Sequence, residues 1–218
     1  MKRISWLHPN DPPDRFPPVS QALDDPPGLL AAGGDLSAER LQAAYRQGIF
    51  PWNSAGEPVL WWTPDPREVL FPDELHISRS LRRCINRGEF RVTENQCFPA
   101  VIAACAQARG PAVGTWITPE MLAAYCELHQ RGLASSIEVW KDDELAGGLY
   151  GIRTGRVFCG ESMFSRRDNA SKVALAWLAQ HCHARGITLI DCQMPSAHLR
   201  SLGSRPLPRH EFLAYLGD

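Results

Sequence analysis

The sequence lacks the features that mark several large classes of protein. Among its 218 residues, no apolar run approaches the ~20 residues that a membrane-spanning helix needs. A proline at position 9 interrupts the N-terminus before the apolar core of a signal peptide could form. The formal net charge of −1 excludes a protein that coats nucleic acid through bulk charge, so any polyanion must meet a local basic patch. We therefore expect a cytoplasmic protein without a membrane segment.

Motifs for cofactors and covalent chemistry are equally scarce. The seven cysteines are scattered and none forms a Cys-x-x-Cys pair, so we expect neither a disulfide framework nor a zinc site. The sequence contains no Gly-x-x-x-x-Gly-Lys-Ser/Thr and no Gly-x-Gly-x-x-Gly, which leaves nucleotide hydrolysis and dinucleotide redox chemistry without support. It also has no Ser/Thr-x-x-Lys, the motif of penicillin-type acylation.

Proline divides the chain into two parts. Twelve of the eighteen prolines lie in the first 72 residues, which predicts an irregular opening segment with little room for regular β-ladders. One helix is clear there, because Ser37 is a good N-cap and Gly48 a good terminator. We predict a small N-terminal domain over residues 1–65 and a larger domain over residues 66–218.

The larger part combines helical and strand patterns. Three helices are followed by three strands with short turns, a long amphipathic helix and one more buried strand. A strand, a helix and another strand normally form a right-handed parallel crossover. The order predicts an α+β fold with a mixed sheet, in the strand order of acyltransferases whose two central parallel strands splay around an acyl donor. The predicted helices cover about 78–88, 96–108, 118–132, 170–185, 196–202 and 209–216, and the predicted strands 136–140, 145–152, 156–164 and 187–193.

Two groups of polar residues lie in the predicted strands. Glu161 falls in the third strand, where a carboxylate is costly unless it is paired or exposed. Asp191 and Gln193 are two residues apart on the last strand and so share a face near its C-terminal end, the edge where ligands of open α/β sheets collect. Two plainer interpretations stay open, namely an exposed edge position for Glu161 and an end-of-strand turn for the other two.

A third group is basic and lies on the first helix of the larger part. Arg79, Arg82, Arg83 and Arg87 fall on one face of this helix, which would suit contacts with phosphate groups. A solvated helix face is the alternative. The tryptophans, Trp52, Trp61, Trp62 and Trp116 among them, could stack on a nucleobase, although core packing is their commoner role.

The predicted fold lacks one part that coenzyme A acetyltransferases need. Residues 165–172, between the third strand and the long helix, do not contain the paired glycines that wrap a pyrophosphate. An acyltransferase fold without that loop suggests a different acyl carrier.

Several strings together resemble one family. They are 45–52 (Tyr-Arg-Gln-Gly-Ile-Phe-Pro-Trp), 60–67 (Leu-Trp-Trp-Thr-Pro-Asp-Pro-Arg), 158–165 (Phe-Cys-Gly-Glu-Ser-Met-Phe-Ser) and 189–193 (Leu-Ile-Asp-Cys-Gln). In this combination and order the chain resembles the leucyl/phenylalanyl-tRNA–protein transferases, from about Phe16 to Leu216. The resemblance implies a small N-terminal domain on an acetyltransferase-like (GNAT-like) C-terminal domain, with no metal or organic cofactor.

The resemblance also implies partners and an activity. The expected donor is an aminoacyl-tRNA carrying Leu, Phe or, less often, Met, and the acceptor is a protein with an N-terminal Arg or Lys. The new peptide bond would mark the acceptor for degradation. We expect a monomer that does not bind membranes.

Residue roles follow from the same resemblance. The carbonyl of Gln193 would hold the acceptor amine, Asp191 would orient Gln193, and Glu161 would receive the basic side chain of the acceptor. Trp52 and Trp116 would stack around the terminal adenosine of the tRNA. An apolar pouch for the donor side chain would be lined by Leu149, Phe158, Met163, Leu178 and Ile190.

Two other functions stay open on the sequence alone. A coenzyme A-dependent N-acyltransferase would share the fold, but residues 165–172 argue against it. A non-catalytic protein that binds tRNA or protein N-termini would have no need for Asp191, Gln193 and Glu161 together. The transferase is therefore the favoured hypothesis.

Overall fold

Four of the seven α-helices in the described residues begin at a side chain that caps the first turn. The computed structural model describes residues 3–108 and 115–217. Ser37, Ser78 and Thr118 each accept a hydrogen bond from the backbone N–H three residues further on, which satisfies one unpaired donor of the first turn. No helix in the described residues is both long and apolar enough to cross a membrane. The helices are α1 (Ala38–Arg46), α2 (Arg79–Asn86), α3 (Phe98–Gln107), α4 (Pro119–Gln130), α5 (Ala170–Cys182), α6 (Ala197–Ser201) and α7 (Arg209–Leu213).

The strands form two sheets. Within the described residues, four short strands make the first sheet in the order β1-β2-β4-β3, and seven make the second in the order β11-β5-β10-β9-β8-β7-β6. The second sheet is mixed, because only β9 and β10 pair in parallel within it. The strands are β1 (Ser5–Leu7), β2 (Leu29–Gly33), β3 (Phe50–Pro51), β4 (Leu60–Trp62), β5 (Arg67–Leu70), β6 (Arg91–Glu94), β7 (Ala134–Lys141), β8 (Glu144–Thr154), β9 (Val157–Ser165), β10 (Leu189–Gln193) and β11 (Arg205–Leu207).

The opening segment is more regular than its prolines suggested. The prediction of little room for regular ladders there is wrong, because β1 to β4 are only two to five residues long and their one proline, Pro51, lies in the edge strand β3. The apolar run of β2 is buried along its whole length. The sequence analysis also missed β5, β6 and β11, which are three or four residues long. Such strands carry too few alternations to be recognised, and β11 contains Pro206, which only an edge strand tolerates.

The predicted α+β class and parallel crossover are confirmed. Strand β9, helix α5 and strand β10 follow one another, and β9 and β10 pair in parallel from Val157–Leu189 to Cys159–Asp191. Beyond that point β9 continues its ladder with β8, whereas β10 continues its pairing with β5 through a bulge. The two parallel strands therefore part, and a cleft opens between their C-terminal halves.

Hydrophobic cores lie on both faces of the larger sheet. Residues of α3 and α4 pack on one face and residues of α2 and α5 on the other. Trp61 of the smaller sheet is fully buried and belongs to the same cluster as Val69 and Phe98. One core thus joins both sheets. The domain boundary between residues 65 and 66 stays a prediction.

Two glycines that face one another across β8 and β9 differ in the space available for a side chain. A Cβ at Gly151 would lie 2.2 Å from the carbonyl oxygen of Cys159, whereas one at Gly160, its partner across the ladder, would meet nothing closer than 3.6 Å. We expect Gly151→Ala to lower the free energy of unfolding by about 1–3 kcal/mol through overpacking, and Gly160→Ala to change it by less than about 0.5 kcal/mol. Urea unfolding followed by circular dichroism measures both. Equal effects would contradict this account.

Candidate active site

One cavity lies where β9 and β10 separate. It has a volume of about 390 Å³ and is bordered by residues from both sheets and from α5. Its walls bring together the residues that the sequence singled out, apart from Trp61, Trp62 and the arginines of α2. These are Trp52, Trp116, Leu149, Phe158, Glu161, Met163, Leu178, Ile190, Asp191 and Gln193.

Asp191 forms a buried ion pair at the base of the cavity. Its two carboxylate oxygens accept from Nε and Nη2 of Arg67, both at 2.8 Å, and both side chains are almost fully buried. Arg67 also donates to the carbonyl oxygen of Gly48, and its guanidinium lies between the rings of Phe50 and Phe212 at 4.7 and 4.6 Å. The bidentate geometry compensates the removal of both charges from water. Asp191 is thus a fixed, neutralised carboxylate, and Arg67 is a site residue that sequence reasoning missed.

Gln193 is oriented by its backbone. Cys192 is an extra residue in the pairing of β10 with β5, and Gln193 beyond it has a φ of 57°, in the left-handed region. Its backbone N–H donates to Oδ1 of Asp191 at 2.8 Å, which holds this uncommon conformation. The bulge and this hydrogen bond, rather than simple alternation along the strand, set the direction of the Gln193 side chain.

Glu161 is held by hydrogen bonds on both oxygens. Oε2 accepts from the hydroxyl of Tyr125 at 2.9 Å, and Oε1 accepts from Nε2 of Gln193 at 3.2 Å. The alternative of an exposed edge position is therefore wrong. Burial raises the pKa of Glu161 to about 7, although the hydroxyls of Tyr45 and Tyr125 act to lower it. A carboxylate with such a pKa changes charge near neutral pH.

The amide of Gln193 gains a defined orientation from this contact. Because Nε2 faces Glu161, the amide oxygen on the other side of the group does not. None of the described residues donates a hydrogen bond to this oxygen. It is an available acceptor on the wall of the cavity.

Two thiols lie close to these carboxylates. Burial raises the pKa of Cys159 and of Cys192, and the charge of Asp191 raises both further. At neutral pH both are protonated and weakly nucleophilic. Neither thiol is therefore a candidate nucleophile.

The apolar wall of the cavity is continuous with the core. Leu149, Phe158, Leu178 and Ile190 are buried, and Met163 is partly buried beside them. Leu175 of α5 also lines this wall and was not predicted. The arrangement can receive an apolar side chain of moderate size.

The tryptophans divide between site and core. Trp52 is 37% exposed and Trp116 is 9% exposed, and both line the cavity. Trp62 lies against Trp52, with ring centroids 5.7 Å apart, and donates from its indole to the carbonyl oxygen of Trp52. Trp61 is fully buried, donates to a backbone carbonyl and does not line the cavity, whereas Trp116 both belongs to the core and lines the cavity.

The arginines of α2 lie outside the cavity. Arg79, Arg82, Arg83 and Arg87 are all exposed, and none lines the cleft. Arg87 lies 3.7 Å from Glu89, whereas no acidic group of the described residues pairs with the other three. They form an exposed basic face on a separate part of the surface.

Comparison with known proteins gives one consistent family. Residues 69–217 match the sequence family described as leucyl/phenylalanyl-tRNA protein transferase, and residues 34–65 match the N-terminal domain of the same family. The chain is 58% identical to the leucyl/phenylalanyl-tRNA–protein transferase of Pseudomonas aeruginosa PAO1 over 213 residues, which cover 98% of this chain and 93% of that one. It is 61% identical to the enzyme of the same name from Pseudomonas entomophila L48 over 201 residues, covering 92% and 89%.

Solved structures give a more distant likeness. A GCN5-related N-acetyltransferase from Kribbella flavida aligns with a TM-score of 0.40 and 14% identity, over 75% of this chain and 58% of that one.

The buried ion pair can be tested through stability. Asp191→Ala leaves the Arg67 guanidinium buried without a counter-charge, so we expect a loss of about 3–5 kcal/mol in the free energy of unfolding. The double variant Arg67→Met/Asp191→Leu removes both charges and should recover most of that loss. Glu74→Ala, which breaks the exposed pair with Arg205, should cost less than about 1 kcal/mol. Urea unfolding measures all three, and a double variant no more stable than Asp191→Ala would contradict the assignment.

Proposed function

The chain belongs to the leucyl/phenylalanyl-tRNA–protein transferase family, and from this we propose that it moves Leu or Phe, and less often Met, from tRNA to the N-terminal Arg or Lys of a protein. The new N-terminal residue marks the acceptor for degradation. The observation that carries the proposal is the cavity itself, because it joins an apolar wall to the hydrogen-bonded pair Glu161 and Gln193.

The donor occupies the apolar side of the cavity. Trp52 and Trp116 stack around the terminal adenosine, and the esterified side chain enters the pouch of Leu149, Leu178 and its neighbours. An apolar pouch distinguishes one methylene by only ~1–3 kcal/mol, so it accepts several aliphatic or aromatic side chains that have no branch at Cβ. Shape, rather than hydrogen bonding, selects the donor.

The acceptor occupies the polar side. Its guanidinium or ammonium group pairs with the Glu161 carboxylate, and an N–H of its α-amine donates to the amide oxygen of Gln193. These two contacts would place the amine nitrogen beside the ester carbonyl.

The reaction needs little further machinery. The neutral α-amine attacks the ester carbonyl carbon, a C–N bond forms, the bond to the ribose oxygen breaks, and the proton lost by the amine balances the one gained by that oxygen. A free α-amine has a pKa of ~7.7–8.0 and is partly neutral at cellular pH. Asp191 is engaged by Arg67 and positions Gln193 rather than accepting a proton. Alignment of the two reactants can supply ~7–11 kcal/mol of the barrier.

We also propose where the rest of the tRNA lies and how the enzyme exists in the cell. The exposed face of Arg79, Arg82, Arg83 and Arg87 contacts phosphates of the tRNA, with Arg87 partly engaged by Glu89. The enzyme acts in the cytoplasm as a monomer and requires neither a metal nor an organic cofactor.

The activity is tested with tRNA charged with labelled leucine and a peptide with an N-terminal Arg. We expect label to move to this peptide but not to the same peptide with an N-terminal Ala. Glu161→Gln should lower kcat/KM for the Arg peptide about 10–100-fold, because an ion pair becomes a neutral hydrogen bond, while tRNA affinity stays within about twofold.

Glu74→Gln serves as the matched control, since Glu74 pairs with Arg205 outside the cavity. Label that stays on the tRNA with the wild-type protein would overturn the proposed activity, and acetylation of the peptide from acetyl-CoA would support the rival acyltransferase. Equal losses of acceptor and tRNA affinity in Glu161→Gln would contradict its role.

The basic face of α2 is tested through the salt dependence of tRNA binding. Arg82→Glu/Arg83→Glu should weaken binding and reduce the slope of log K against log salt by about 1–2, because each lost phosphate contact removes about one unit. Arg46→Glu/Arg153→Glu reverses two exposed arginines that border a different depression and should leave the slope within about 0.5. Filter binding at several salt concentrations gives both slopes, and an unchanged slope in the first variant would make the α2 face a solvated surface.

A further inference from the structure

Two buried tyrosines extend the hydrogen bonding of Glu161 away from the cavity. The hydroxyl of Tyr125 lies 2.9 Å from Oε2 of Glu161, and the hydroxyl of Tyr45 lies 2.5 Å from that of Tyr125. Both tyrosines are at most 2% exposed. Tyr45 belongs to α1 and Tyr125 to α4, so three separate elements converge on one carboxylate.

The chain of hydroxyls has a fixed direction when Glu161 is ionised. A carboxylate can only accept, so Tyr125 uses its proton on Glu161 and must accept from Tyr45. Each hydroxyl then donates to the next group, and successive hydrogen bonds in such a chain strengthen one another. Burial raises the pKa of both phenols well above their ordinary value of 10, and the charge of Glu161 raises them further. Both remain donors throughout the neutral range.

The surroundings of Glu161 leave the two phenols as its main stabilising contacts. The charge of Asp191 raises the pKa of Glu161 and that of Arg67 lowers it, and the two charges neutralise one another in their ion pair. Burial keeps the thiol of Cys159 protonated by raising its pKa. The titratable or charged groups that face Glu161 from the described elements are Tyr45 of α1, Arg67 of β5, Tyr125 of α4, Cys159 of β9 and Asp191 of β10.

We propose that Tyr45 and Tyr125 are positioning residues for the choice of acceptor: their hydroxyls donate in series to Glu161 and hold its carboxylate ionised and oriented for a cationic N-terminal side chain. This inference rests on the proposed function, in which Glu161 receives that side chain. With Tyr125 on Oε2 and Gln193 on Oε1, the carboxylate cannot rotate freely, and its remaining lone pairs are directed by these contacts.

The consequence is a dependence of acceptor binding on pH. Burial raises the pKa of Glu161 to about 7, and without the phenol hydroxyls it would be higher still. Acceptor binding needs the ionised form, so affinity falls as the pH drops below the pKa. Removing a hydrogen bond to the charged form moves the pKa, and with it the midpoint of binding, to higher pH by about one unit.

The test uses a peptide whose N-terminus is a 5-guanidinopentanoyl group, which carries the Arg side chain without an α-amine. This probe has no group that titrates between pH 6 and 9, so any dependence on pH belongs to the protein. Its affinity is measured by calorimetry across that range for wild type, Glu161→Gln, Tyr125→Phe, Tyr45→Phe and Tyr215→Phe. Tyr215 is a partly buried tyrosine that contacts Phe71 and Arg156 rather than Glu161, which makes it the matched control.

We expect the wild-type affinity to rise through a midpoint near 7, and Glu161→Gln to bind weakly at every pH. Tyr125→Phe should bind the probe about threefold more weakly at pH 7.5 and recover at pH 9, because the ionised fraction at pH 7.5 falls from about three quarters to about one quarter. Tyr45→Phe should shift in the same direction. Tyr215→Phe should match wild type.

The outcomes separate this inference from the proposed function. If Glu161→Gln binds the probe as well as wild type, the acceptor role of Glu161 fails and the inference fails with it. If Glu161→Gln loses binding but both Tyr→Phe variants follow the wild-type curve, the acceptor role stands and the tyrosines are only core residues. A loss in Tyr125→Phe that persists at pH 9 would equally reject the inference, since damage to packing is not reversed by pH. Should Tyr125→Phe fail to fold, the shift in Tyr45→Phe decides.

Discussion

The ion pair between Arg67 and Asp191 is the interaction on which the rest of the site depends. It joins β5 to β10 inside the larger sheet, and the Arg67 guanidinium also lies against Phe50 of the smaller sheet and Phe212 of α7. Burying two charges is favourable only when their geometry is nearly ideal, and here both carboxylate oxygens are engaged at 2.8 Å. The same carboxylate accepts from the backbone N–H of Gln193, so Asp191 takes part both in the packing of these elements and in the placement of the Gln193 amide on the cavity wall.

The cavity exists because two parallel strands stop pairing at a defined place. Pairing of β9 with β10 ends at Cys159 and Asp191, beyond which β9 keeps its pairing with β8 and β10 keeps its pairing with β5. The gap has an apolar wall that continues into the core and a polar wall built on Glu161 and Gln193. Tyr125 links two residues of the cavity wall, since its hydroxyl contacts Glu161 and its ring contacts Trp116 edge-on at 6.4 Å. In the scheme we propose, donor and acceptor meet in this gap.

Much of the fold could be predicted from local signals. Side chains such as Ser37, Ser78 and Thr118 act within one turn of helix, so their effect is visible in a few adjacent residues. The long strands β7 to β9 and the crossover through α5 were predicted for the same reason, because each repeats its pattern over many residues. The short strands β1 to β6 and β11 could be predicted poorly or not at all, since their pairing depends on distant partners rather than on their own composition.

For the site, the sequence determined which residue types are present and, through the family resemblance, which of them to examine. It could place Asp191 and Gln193 near a strand end, and Glu161 in a neighbouring strand. Only the tertiary structure decided that Arg67, 124 positions away, neutralises Asp191, and that Tyr45 and Tyr125, 80 positions apart, form a chain to Glu161. The physical reason is that charge state and orientation in a buried site depend on distance and on exclusion of water, and both arise only when remote segments are brought together by folding.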